Sequence, residues 1–117
     1  MQDETTYKLM KLIEEHPHLS QREIAQRMGI SLGKANYCLK ALIEKGFVKA
    51  KNFYNAKQKS PYMYYLTPTG LEEKARVTYR FLKYKIQEFE EVKQEIERLK
   101  SETQNLGVDP EQGTRNE

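Results

Sequence analysis

The stretch Leu19 to Leu66, LSQREIAQRMGISLGKANYCLKALIEKGFVKAKNFYNAKQKSPYMYYL, decides how the chain folds. Ser20 and Glu23 stand three residues apart ahead of Ile24. That is the spacing of a capping box, in which hydroxyl and carboxylate each satisfy an amide left open at a helix start. The helix presents Ile24, Ala25 and Met28 to a core. Gly29 stops it, because glycine accepts the left-handed backbone needed just past a helix end. Ile30 plugs the turn, and Ser31 caps the next helix, from Leu32 to about Lys45. Its expected buried stripe is Leu32, Ala35, Leu39, Leu42 and Ile43, and Gly46 ends it. Phe47–Lys51 and Tyr62–Leu66 read as short strands joined by a polar, lysine-bearing loop from Asn52 to Pro61.

Upstream, Asp3 is expected to cap a first helix reaching about Glu15, with Tyr7, Leu9, Met10, Leu12 and Ile13 at helical spacing. Pro17 ends it. Downstream, Thr67 suits a cap and Pro68 the first helical position. No strong breaker follows before Gly107, so the final helix is expected to run about 36 residues, or about 54 Å. The fold class that results is mainly α with a small β-ribbon. It is a winged helix-turn-helix followed by a long C-terminal dimerisation helix, a coiled coil. The expected division is residues 1–67 for the winged domain, 68–106 for the helix and 107–117 for a disordered tail.

The chain has 117 residues, enough for one small domain and an extension. Its net charge is only +3, but the distribution is lopsided. Seven lysines stand against one glutamate between Ser31 and Pro61, a local +6 that leaves −3 for the remainder. A basic block on a mildly acidic body is the footprint of a polyanion binder. The single cysteine excludes an internal disulfide and a CxxC metal site. His16 and His18 lack further ligands and read as solvated loop residues, so no metal is expected. No nucleophile–base set or glycine-rich phosphate loop is present, which argues against an enzyme, and no cofactor is expected. No apolar run reaches membrane-spanning length and no signal peptide opens the chain. The expected setting is cytoplasmic, with no membrane partner.

Three pieces, LSQREIAQRMGIS, LKALIEKGFVKA and YYLTPTG, resemble the winged-helix regulators of the MarR class. The short chain with one C-terminal helix resembles the small bacterial EPS-associated MarR-family subgroup. The resemblance covers about Tyr7 to Gly70. It implies a DNA-binding transcription factor acting on exopolysaccharide genes. The chain departs from the class in lacking a long N-terminal helical segment, and no dedicated small-molecule ligand is expected.

The face of the third helix left outside the stripe holds Gly33, Lys34, Asn36, Tyr37, Lys40 and Ala41. Lys34, Lys40, Lys49, Lys51, Lys57 and Lys59 are phosphate candidates, which position a protein without reading sequence. Base reading needs directional donors and acceptors: Asn36 suits adenine and Lys34 guanine. Tyr37 offers a hydroxyl or a ring, and Gly33 permits close approach. Gln21 and Arg22 are weaker phosphate candidates. Phe53, Tyr54, Tyr62, Tyr64 and Tyr65 fit either ribbon packing or a stacking platform for single strands. Cys38, beside the stripe, reads as a packing residue, with redox sensing as the alternative.

In the last helix Leu82, Phe89, Val92, Ile96 and Leu99 fall on a 3-4 repeat, the seam of a homodimer. Lys85 would weaken it. Upstream, Val77, Tyr79, Phe81, Tyr84 and Ile86 broaden the apolar face. Glu88 and Glu95 on one flank and Lys93 and Lys100 on the other favour a parallel pair, without deciding it. The function these features point to is sequence-specific recognition of double-stranded DNA by a homodimeric transcriptional regulator. The alternative is a winged-helix adaptor that binds protein and no specific DNA.

Overall fold

The structure, a computed structural model, describes residues 2–52 and 63–107. Its elements follow the expected order: α1 (Gln2–Glu15), α2 (Gln21–Met28), α3 (Leu32–Glu44), β1 (Val48–Lys51), β2 (Met63–Leu66) and α4 (Pro68–Asn105). The chain divides into two compact units, Met1–Phe81 and Leu82–Glu117, with the boundary inside α4. The expected disordered tail lies, from residue 108 onward, outside the described residues.

The helix ends form as local chemistry dictates. Ser20 Oγ accepts from Glu23 N at 3.1 Å, and Ser20 N donates to Glu23 Oε1 at 2.9 Å. Gly29 takes φ 68°, and Ile30 N then donates to Ala25 O at 3.0 Å. Ser31 Oγ accepts from Lys34 N at 3.1 Å to open α3. The expected cap at Asp3 is not found: α1 already begins at Gln2, and Asp3 in its first turn pairs with Arg80 at 3.2 Å.

The hydrogen bonds from Ser20 hold the Glu23 carboxyl below the usual carboxylate range. A carboxyl whose pKa is lowered by folding adds stability above its unfolded pKa and loses it as pH falls through the folded one. Thermal unfolding of the wild type should therefore show a decline on acidification through and below the ordinary glutamate range. Glu23→Gln should be less stable near neutrality and show a shallower acid decline. An unchanged acid slope in the variant would count against the capping box as its source.

The core of the winged unit takes Leu9, Met10 and Ile13 from α1, Ile24 and Ala25 from α2, Ala35, Leu39 and Leu42 from α3, and Val48 and Tyr64 from the ribbon. Each large side chain so buried contributes about 1.5–3 kcal/mol over leaving it in water. The stripe of α3 is narrower than expected. Leu32 and Ile43 remain 40% and 38% exposed, because they occupy the terminal turns of the helix and only its middle faces the core. The ribbon is antiparallel, with Val48 opposite Leu66 and Ala50 opposite Tyr64. Tyr64 is buried, its amide donates to Pro17 O at 2.9 Å, and its hydroxyl accepts from Gln21 Nε2 at 3.1 Å. This ring is therefore a packing group that ties the ribbon to the α1–α2 loop.

The LTPTG segment is the joint between ribbon and last helix. Thr67 Oγ1 donates to Gly46 O at 2.6 Å and accepts from Gly70 N at 3.0 Å, while Thr67 N donates to Phe47 O at 3.0 Å. One buried hydroxyl thus caps α4 and pins it to the end of α3. Gly70 is buried against the backbone of Phe47 and leaves no room for a side chain. Further along, Val77 is buried, and the Phe81 ring lies 5.3 Å from that of Tyr7 on α1. The first turns of α4 therefore belong to the winged unit. Lys74 reaches Glu14, and Asp3, hydrogen-bonded to Arg80, raises the guanidinium pKa further. These pairs are exposed and screened, so register here is set by the apolar contacts.

Candidate nucleic-acid interface

With Ala35, Leu39 and Leu42 turned inward, the geometry of α3 fixes what points outward. Gly33, Asn36, Tyr37 and Lys40 stand at i, i+3, i+4 and i+7, so they share one helix face. All are exposed, and Tyr37 is 76% exposed. Lys34 flanks this face in the first turn and is exposed as well. In β1 the pleat sends Lys49 and Lys51 to one side, both exposed, and Val48 and Ala50 to the other. Lys57 and Lys59, the remaining expected phosphate contacts, lie outside the described residues, as do Phe53, Tyr54 and Tyr62.

The side chains of Lys34, Asn36, Lys40, Lys49 and Lys51 form no hydrogen bond or ion pair among the described residues. Elsewhere in the winged unit, Lys8, Lys74, Arg76 and Arg80 are paired with carboxylates. Arg22 and Arg27 on α2 are likewise without an ion pair among the described residues, so the unpaired cations lie on α2, α3 and the ribbon. A Cβ built on Gly33 would meet nothing within 4 Å, so the fold does not require glycine there and the surface is open to close approach.

Among the described residues, Gln21 is the one expected contact whose side chain is otherwise engaged, through its amide on Tyr64. Arg22 beside it is exposed. Cys38 is half-buried and packs against the core. A concavity of about 320 Å³ between α1 and α3 went unforeseen in the sequence. Thr5, Thr6 and Leu9 line one wall, and Lys34, Tyr37, Cys38, Ala41 and Lys45 the other. Lys34 and Tyr37 thus border both the outward face of α3 and this hollow. Among the described residues no group of three or more His, Cys, Asp or Glu could hold a metal ion. No described helix is long and apolar enough to cross a membrane.

Residues 2–49 match a family model described as winged helix-turn-helix DNA-binding. No curated protein matches the chain. Solved structures of similar fold include the transcriptional repressor CouR bound to a 23-mer DNA duplex. It is 20% identical, with a TM-score of 0.59, over 86% of this chain and 71% of that one. Streptococcus pneumoniae FabT in complex with DNA is 18% identical, with a TM-score of 0.51, over 92% of this chain and 75% of that one. Staphylococcus aureus MarR in complex with salicylate and kanamycin is 24% identical, with a TM-score of 0.54, over 81% of this chain and 71% of that one. The chain shares the fold of these three proteins.

Proposed function

We propose that this chain is a non-catalytic transcriptional regulator that binds double-stranded DNA sequence-specifically as a cytoplasmic homodimer. The observation that carries the reading is the unpaired, exposed set on α3 and β1: Gly33, Lys34, Asn36, Tyr37, Lys40, Lys49 and Lys51. In a winged helix this is the helix that enters the major groove, with its N-terminal residues on base edges. Lys57 and Lys59 join the set on the sequence alone. Asn36 is assigned to base reading, Lys34 to a guanine or a phosphate, and the remaining lysines to phosphate. Two structures of like fold were solved with DNA, which supports the same use here.

Residues 1–67 are assigned to DNA binding and the helix of 68–106 to dimerisation through Leu82, Phe89, Val92, Ile96 and Leu99. These five remain exposed in the single chain. The target genes, exopolysaccharide genes, are carried by the family resemblance alone. No dedicated small-molecule effector is assigned.

Selection from a random duplex library tests the reading. A dimer should enrich a pseudo-palindrome with half-sites about one DNA turn, roughly 10 base pairs, apart. A library that emerges without an enriched sequence would favour the adaptor instead.

A further inference from the structure

We propose that the exposed apolar seam of α4 pairs with the same seam of a second copy in parallel and in register. The inference rests on the homodimer reading above and deepens it by fixing chain direction. Phe89, Val92, Ile96 and Leu99 are 63%, 47%, 46% and 54% exposed along an unbroken helix. Their 3-4-3 spacing is that of alternating a and d positions in a heptad repeat. Among parallel coiled coils, Ile at a with Leu at d, as at Ile96 and Leu99, is the combination that favours two strands over three or four. Lys85 at d and Thr103 at a frame this apolar stretch.

The flanking charges favour one direction. Glu88 and Glu95 occupy g, and Lys93 and Lys100 occupy e. In a parallel pair each g residue faces the e residue five positions on in the other copy. Glu88 then meets Lys93, and Glu95 meets Lys100, each twice by symmetry. Within the single chain Glu88 is already held by Lys85 Nζ at 3.0 Å. The side chains of Glu95, Lys93 and Lys100 have no partner among the described residues. Glu95 with Lys100 of the second copy is therefore the pair that association completes.

An antiparallel pair centred on the same seam would place Phe89 against Leu99 and Val92 against Ile96. Its flanks would then bring Glu95 against Glu95, Glu88 against Glu102 and Lys93 against Lys93. Every ionic flank contact would be repulsive. The winged unit precedes the seam in each chain, so parallel pairing joins both units to the same end of it.

Disulfide trapping in a Cys38→Ala background tests the direction. Thr103→Cys alone should oxidise to a covalent dimer, and so should Lys85→Cys alone, because each position faces itself. In the antiparallel arrangement Thr103 faces Lys85, so a covalent dimer that forms only when the two variants are mixed would overturn the proposal. Charge exchange gives a second readout by sedimentation. Glu95→Lys should weaken self-association about tenfold, and Lys100→Glu added to it should restore the wild-type value. No change with Glu95→Lys is the antiparallel result, since one like-charged contact merely replaces another. A wild-type chain that sediments as a monomer, with or without DNA, would instead overturn the homodimer reading and this proposal with it.

Discussion

Alanine at both Lys34 and Asn36 should lower affinity for the selected duplex by about 100-fold while leaving thermal stability unchanged. Neither side chain makes a contact that the fold needs among the described residues, so the loss should fall on DNA alone. The two changes should also differ in kind. Asn36→Ala removes a bidentate partner for a base, so it should relax preference at one position and leave the salt dependence intact. Lys34→Ala removes a positive charge, so it should flatten the slope of log affinity against log salt by about one. Fluorescence anisotropy over a salt series, with matched and single-mismatch duplexes, separates the two. Equal losses on every sequence from Asn36→Ala would remove it from the base-reading set.

Gly70→Ala should destabilise the winged unit by about 3 kcal/mol, the upper end of what overpacking usually costs. The direction is the opposite of the usual one, since glycine to alanine inside a helix normally gains about 0.5–1 kcal/mol. Here the added carbon would lie 2.9 Å from Phe47 C and 3.2 Å from its Cα, and closer still to the carbonyl oxygen. That carbonyl cannot move aside freely, because it accepts the Thr67 amide. A melting temperature lowered by about 10 °C or more should follow for a unit of this size, read by circular dichroism. A variant as stable as the wild type would mean that α4 can lift off the end of α3 without loss.

Most of the framework could be read from residues because it is local. The capping box at Ser20 and Glu23, the left-handed Gly29 and the cap at Ser31 involve partners within a few positions, and a sequence displays such partners directly. The outward face of α3 could be read for a related reason: once Ala35 and Leu39 are inward, the helix period fixes the rest. What depends on how elements approach one another was less visible. Helical spacing does not reveal how wide a contact will be, so Leu32 and Ile43 looked buried when only the middle of α3 faces the core. Asp3 has the chemistry of a cap, but α1 starts before it and an arginine 77 residues away takes its carboxylate. The need for glycine at 70 comes from the Phe47 backbone, distant in sequence. The hollow bordered by Lys34 exists only because α1 lies beside α3.

The central claim is that the unpaired cations and Asn36 serve sequence-specific recognition of duplex DNA. Its most direct test is a competition measurement at physiological salt between the selected duplex and a scrambled duplex of equal length. The selected sequence should be preferred by about 1,000-fold or more, within the range of specific regulators. A ratio near one, with affinity that merely falls as salt rises, would contradict it.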